Sequence, residues 1–122
     1  MNWYFLGAAA ASFFTFAVHT FVGGPAIAGP LLEASDLKKV PKFTNYYCWH
    51  LVTIVLFAMG GAFAWAAYFP EGIELGWLSF LLAVSFMVWN LIMIVKHQLK
   101  LMQFPQWILF LGISIFAAPG LA

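Results

Sequence analysis

Read from its N-terminus, the chain is apolar for long stretches and charged only in short breaks. The breaks leave four uncharged runs: Met1 to Leu32, Phe43 to Pro70, Leu75 to Val95 and Leu101 to Ala122. A membrane span takes about 20 mainly apolar residues at about 1.5 Å rise per residue, so each run holds one span. The pattern predicts helices over residues 3–22, 45–68, 75–96 and 104–120, the last being the shortest. Within a bilayer the backbone has no water to bond, which leaves helices or closed barrels, and these runs are far too long for barrel strands. The expected fold class is an all-α integral membrane protein: one domain over residues 1–122, with four transmembrane helices in an up-down bundle.

The small residues Ala8 to Ser12 look like a signal-peptide cleavage site, but the run has no basic start, and its apolar stretch continues through Phe13, Phe14, Phe16 and Val18. An uncleaved span is expected. Lys38, Lys39 and Lys42 fall between spans one and two, Lys96 and Lys100 between spans three and four, and the connection with Glu71 and Glu74 has none. By the positive-inside rule the lysine side is cytoplasmic and both termini face the other compartment. The predicted location is a bacterial inner membrane, crossed several times. Trp3, Tyr4, Tyr46, Tyr47, Trp49, Trp65, Tyr68, Trp77 and Trp107 fall near the predicted span ends, where amphipathic rings favour headgroup depth. Trp89 lies deeper and is expected to pack against another helix or another chain.

The connection over residues 23–44 is the only stretch of soluble-like composition, and its Gly-Gly-Pro and Gly-Pro pairs are expected to end the first helix. From Leu31 to Val40, apolar residues recur every third position among Glu33, Asp36, Lys38 and Lys39. That pattern fits either a short helix lying in the cytoplasmic interface or a plain loop.

Composition narrows the function classes. The chain is 65% hydrophobic and 7% charged, against about 25% charged in average globular domains. That excludes a soluble enzyme and a disordered segment, and five lysines with a net charge of +1 give no footprint for nucleic acid. The lone cysteine, Cys48, has no partner for a disulfide or a multi-thiolate metal site; as a thiol it is either inert or acylated. Glu71 and Glu74 solvate a turn rather than build a calcium site.

In lipid, helices associate through small and polar residues, so those residues mark the inward faces. The expected stripes are Ala8, Ser12, Thr15 and His19; Tyr46, His50, Thr53, Phe57, Gly60 and Ala64; Ser79, Ala83, Phe86, Asn90 and His97; and Gln103, Trp107, Phe110, Ser114 and Ala117. Asn90 suits an interhelical hydrogen bond. All three histidines fall toward the lysine-bearing side, and His19 and His50 sit at comparable depth on neighbouring helices. Ionisable groups inside a span are expensive unless they pair, bind or face water. Neutral imidazole holds haem iron, copper or zinc, or bonds a quinone headgroup, and it equally serves as an interhelical hydrogen-bonding group. The candidate cofactor-binding residues are His19 and His50, with His97 a third candidate metal ligand; the cofactor itself stays open. There is no HExxH motif, no intramembrane carboxylate for a di-iron bundle, and no nucleophile with its base.

The segment His19-Thr20-Phe21-Val22-Gly23-Gly24 resembles the helix-one His followed by Gly-Gly in haem- or copper-associated bacterial membrane proteins of the copper-resistance D type. The His to Gly-Gly spacing is shorter here and the likeness covers six residues. Two functions follow as expectations. The first is a binding or accessory module, in a homo-oligomer or beside a larger membrane complex, with lipid and other membrane subunits as partners. The second is a haem- or metal-binding redox protein using His19 and His50. A small transporter fits less well, because no span carries a buried charge or a clear midplane break.

Overall fold

The computed structural model describes residues 1–122 and is all-helical, with no strands. Helix α1 runs unbroken over Trp3–Glu33, α2 over Lys39–Tyr68, α3 over Ile73–His97 and α4 over Gln106–Ala117. A single 3-10 turn, Pro70–Gly72, leads into α3, and another, Ala118–Leu121, follows α4. Three helical stretches are long and apolar enough to cross a membrane; the fourth, Gln106–Leu121, is shorter. Only 23 of 122 residues are buried, while Phe14, Phe21, Trp89, Val95 and Met102 stand on the outside. Such a surface suits lipid rather than water.

The first helix departs most from expectation. Gly23, Gly24 and Pro25 do not end it. Over Val18–Ala28 it widens to the π register, in which the Gly29 amide donates to the Gly24 carbonyl five residues back. Proline has no N–H to give and its ring collides with the carbonyl four residues earlier, so an α-helix kinks or breaks there. The wider register relieves that conflict without a break. The predicted connection over residues 23–44 therefore shrinks to Ala34–Lys38, and α2 begins at Lys39 instead of residue 45. No separate interfacial helix forms from Leu31 to Val40: Glu33 ends α1, a bend follows, and Lys39 and Val40 open α2. The Lys42 ammonium donates to the Leu32 carbonyl at 3.2 Å, satisfying one of the orphan carbonyls at the end of α1.

Asn2 joins the start of α1 to the end of α2 and to the turn after α4: its amide N–H donates to the Ala67 carbonyl at 2.8 Å and its side-chain Nδ2 to the Gly120 carbonyl at 2.8 Å. Its Oδ1 meanwhile accepts from Tyr4 and Phe5, capping α1. Directly beneath, Phe5 is fully buried against Phe63 and against the bare backbones of Gly76 and Gly120. A Cβ on Gly76 would stand 2.5 Å from Phe5 Cζ, so this approach requires glycine.

The predicted stripes hold over most of their length on three helices, but His97 and Gln103, at the lysine-bearing end, are exposed. Ala8, Ser12 and Thr15 are buried on α1; Ser79, Ala83 and Asn90 on α3; Phe110, Ser114 and Ala117 on α4. On α2 the face is turned. Leu56, Met59, Gly60 and Phe63 are buried, whereas Phe57 and His50 are exposed. Small residues on α2 are spread around the helix, as at Ala58, Gly60, Gly61, Ala62, Ala64, Ala66 and Ala67, and so mark no single face; Met59 and Phe63 join Ala8 and Ala9 of α1 in the buried cluster. Trp89 is largely exposed on the outside of α3.

Candidate functional site

The site lies toward the lysine-bearing end, where the π segment of α1 faces the first half of α2 and the N-terminus of α4. His19 is half-buried at the start of the wide segment. Its ring stacks on the Trp49 indole, with centroids 4.1 Å apart and planes 19° from parallel. Trp49 also lies against Gly23, one turn further along α1, where a Cβ would come within 3.1 Å of the indole. Thus Trp49 covers both His19 and the glycine backbone; the sequence had suggested only a headgroup anchor.

His19 Nε2 lies 2.9 Å from Thr53 Oγ1 and 3.2 Å from the Trp49 carbonyl oxygen. A carbonyl oxygen only accepts, so the proton is assigned to Nε2, which donates to both oxygens. Thr53 Oγ1 lies in turn 3.2 Å from the Trp49 carbonyl and 3.4 Å from His50 Nδ1. His19 and His50 are thereby brought together through one threonine hydroxyl. His50 is exposed, with Tyr46 edge-on at a centroid distance of 4.7 Å. His97 stands exposed at the end of α3 and joins neither ring. No group of three or more His, Cys, Asp or Glu side chains converges anywhere in the chain.

With Nε2 protonated, His19 Nδ1 carries the ring's free lone pair, and no protein donor meets it. The His19 side chain lines a partly open cavity of about 350 Å³. Its walls come from Val18 and Val22 of α1, Val52 and Leu56 of α2, and Leu109 and Phe110 of α4, with Gln103 and Gln106 at the rim. Gln106 is fixed from α3: its Oε1 accepts from Asn90 Nδ2 at 3.1 Å, which leaves its own amide N–H groups free to donate. Asn90 Oδ1 also accepts from the Trp107 backbone amide at 3.1 Å, serving as cap to a helix whose own N-cap position, Pro105, provides no side chain for the purpose. Asn90 thus makes the interhelical bonds expected of it.

Gln106 is the participant that sequence reasoning missed. A polar residue just after a proline, at the start of an apolar run, was the available signal. Its partner sixteen residues earlier was not readable.

The geometry defines an all-helical protein in which three helices are long and apolar enough to cross a membrane, with a polar-lipped cavity near one end of them. The chain matches no family model, no characterised protein and no solved structure.

Proposed function

We propose that the chain is a bacterial inner-membrane protein of four spans in up-down order, both termini on the non-cytoplasmic side, acting as a binding or accessory module. It works in a homo-oligomer or beside larger membrane subunits. The shorter α4 spans by virtue of its 3-10 extension: 16 residues, Gln106–Leu121, give about 24 Å at helical rise, and local bilayer thinning covers the remainder. The observation that carries the binding role is the cavity beside His19, where a half-buried imidazole with an unused lone pair and a fixed glutamine edge an otherwise apolar space. Small-molecule sites have this make-up: apolar walls with a few convergent polar groups.

The test is native mass spectrometry of the protein extracted from its own membrane in mild detergent. The expected result is an oligomer, a complex with other subunits, or a small-molecule adduct that His19→Leu removes. A folded, monodisperse monomer without any adduct refutes the proposal.

A second reading rests on the junction of His19 and His50 at Thr53. It is a redox protein in which these imidazoles hold haem, copper or zinc. Nε2 of His19 points toward Thr53 and His50, so a shared metal requires that nitrogen to give up its proton and the Thr53 hydroxyl to move aside. An absorbance spectrum with metal analysis decides this reading: a Soret band or stoichiometric metal lost in His50→Leu supports it, and a colourless, metal-free, folded preparation removes it.

A further inference from the structure

Resting on the binding role just proposed, the cavity's chemistry can be taken one step further, to the class of ligand. No Lys, Asp or Glu lines it. A charged occupant would be desolvated there without a counter-charge, a cost several times that of burying a neutral polar group. Carboxylates, phosphates and ammonium groups are thereby disfavoured, and the ligand is neutral.

Hydrogen-bonding valence narrows it further. His19 offers only an acceptor, because its Nε2 proton is held by Thr53 and the Trp49 carbonyl. Gln106 offers its amide N–H groups as unengaged donors, its carbonyl oxygen already accepting from Asn90. A ligand that satisfies both carries a hydroxyl to donate and a second oxygen to accept. A cavity of about 350 Å³ admits a substituted ring rather than a whole lipid headgroup with its chains. The cavity lies level with the loop that carries Gln103 and Pro105, at the end of the spans, and Val22, Ile27 and Leu109 give it apolar walls.

We propose that this cavity binds a neutral hydroxylated ring compound dissolved in the membrane, of the phenol and quinol class, its hydroxyl donating to His19 Nδ1 and another oxygen accepting from the Gln106 amide. A quinol meets both groups; the corresponding quinone has two acceptors and faces the His19 lone pair with a lone pair of its own. The site therefore prefers the reduced form.

The test is calorimetric titration of the full chain in lipid nanodiscs, under anaerobic conditions, with a decyl-substituted benzoquinol, the matching benzoquinone, and a monoacylglycerol as a non-ring amphiphile. The expected result is saturable binding of the quinol, roughly tenfold tighter than the quinone, the difference one well-placed hydrogen bond makes. His19→Leu removes the preference, and Gln106→Leu weakens both forms. Ala26→Phe, at an exposed position on the cavity wall, blocks binding while leaving both polar groups in place, and circular dichroism checks that every variant is folded. Equal affinity for the two redox forms, or binding unchanged in folded His19→Leu and Ala26→Phe, overturns the proposal. Binding of the monoacylglycerol but neither ring compound overturns the ligand class and leaves the binding role standing. Binding of none of the three, by a chain that is also a bare monomer in native mass spectrometry, overturns both.

Discussion

Replacing Asn90 with leucine removes a capping group that one helix lends to another. Asn90 is 7% exposed, and leucine keeps its side-chain branching and heavy-atom count, so the main perturbation is the loss of polar atoms. Two bonds disappear: Trp107 N–H to Asn90 Oδ1, and Asn90 Nδ2 to Gln106 Oε1, each 3.1 Å. Losing a helix cap costs about 1 kcal/mol. An amide left unpaired away from water costs about 1–3 kcal/mol, though interhelical bonds within membranes average only about 0.6 kcal/mol because the unfolded helices find other partners. The expected loss is about 1–2 kcal/mol. It is measured by reversible unfolding in mixed micelles of rising dodecyl sulfate fraction, followed by far-ultraviolet circular dichroism. Gln106→Leu alone breaks one of the two bonds and costs about half as much. Because the residues share a bond, the double variant is less destabilised than the sum of the singles. An Asn90→Leu change within about 0.3 kcal/mol of the parent, or strict additivity with Gln106→Leu, refutes the capping role.

Two further substitutions and a labelling experiment test the frame. Gly76→Ala drives a Cβ into the immobile Phe5 ring and is expected to cost about 1–3 kcal/mol in the same unfolding assay, while Gly61→Ala, with nothing within 4 Å of the new atom, is neutral or mildly stabilising. Asn2→Ala forfeits both the cap on α1 and the tie to Gly120; about 1–2 kcal/mol is expected, with limited proteolysis showing fraying of the last residues. For topology, with Cys48 replaced by serine, a membrane-impermeant maleimide applied to intact cells is expected to label Glu71→Cys and not Ser35→Cys; the opposite pattern inverts the orientation.

The helices were legible in the sequence because a bilayer leaves each apolar run no partner for its backbone but itself, so hydrogen bonding stays local. The same restriction made the stripes on α1 and α3 readable: Ala8, Ser12 and Thr15, like Ser79, Ala83 and Asn90, are small or polar residues at helical spacing on otherwise bulky helices. Their polar members suit buried, close contacts, and no knowledge of the partner helix was required. The comparable depth of His19 and His50 likewise followed from helix rise alone and agrees with their meeting at Thr53.

Rotation and register about those axes were settled elsewhere. Each residue turns a helix by about 100°, so the neighbours Gly60 and Gly61 face different surroundings: one meets Phe13, the other nothing. Sequence gives both the same letter. Whether Gly23-Gly24-Pro25 ends a helix or widens it was not readable locally: in the fold Trp49 lies against Gly23 and stacks on His19, thirty residues before it on the adjacent helix. The proton on His19 Nε2, the lone pair left on Nδ1 and the donor edge left on Gln106 all follow from bonds to Trp49, Thr53 and Asn90. Composition and periodicity set which segments are helical and which are long and apolar enough to cross a membrane, since those are matters of solvent and local bonding. The chemistry of the cavity belongs to the tertiary structure, because it is fixed by which nonlocal partner occupies each polar atom and which atom is left over.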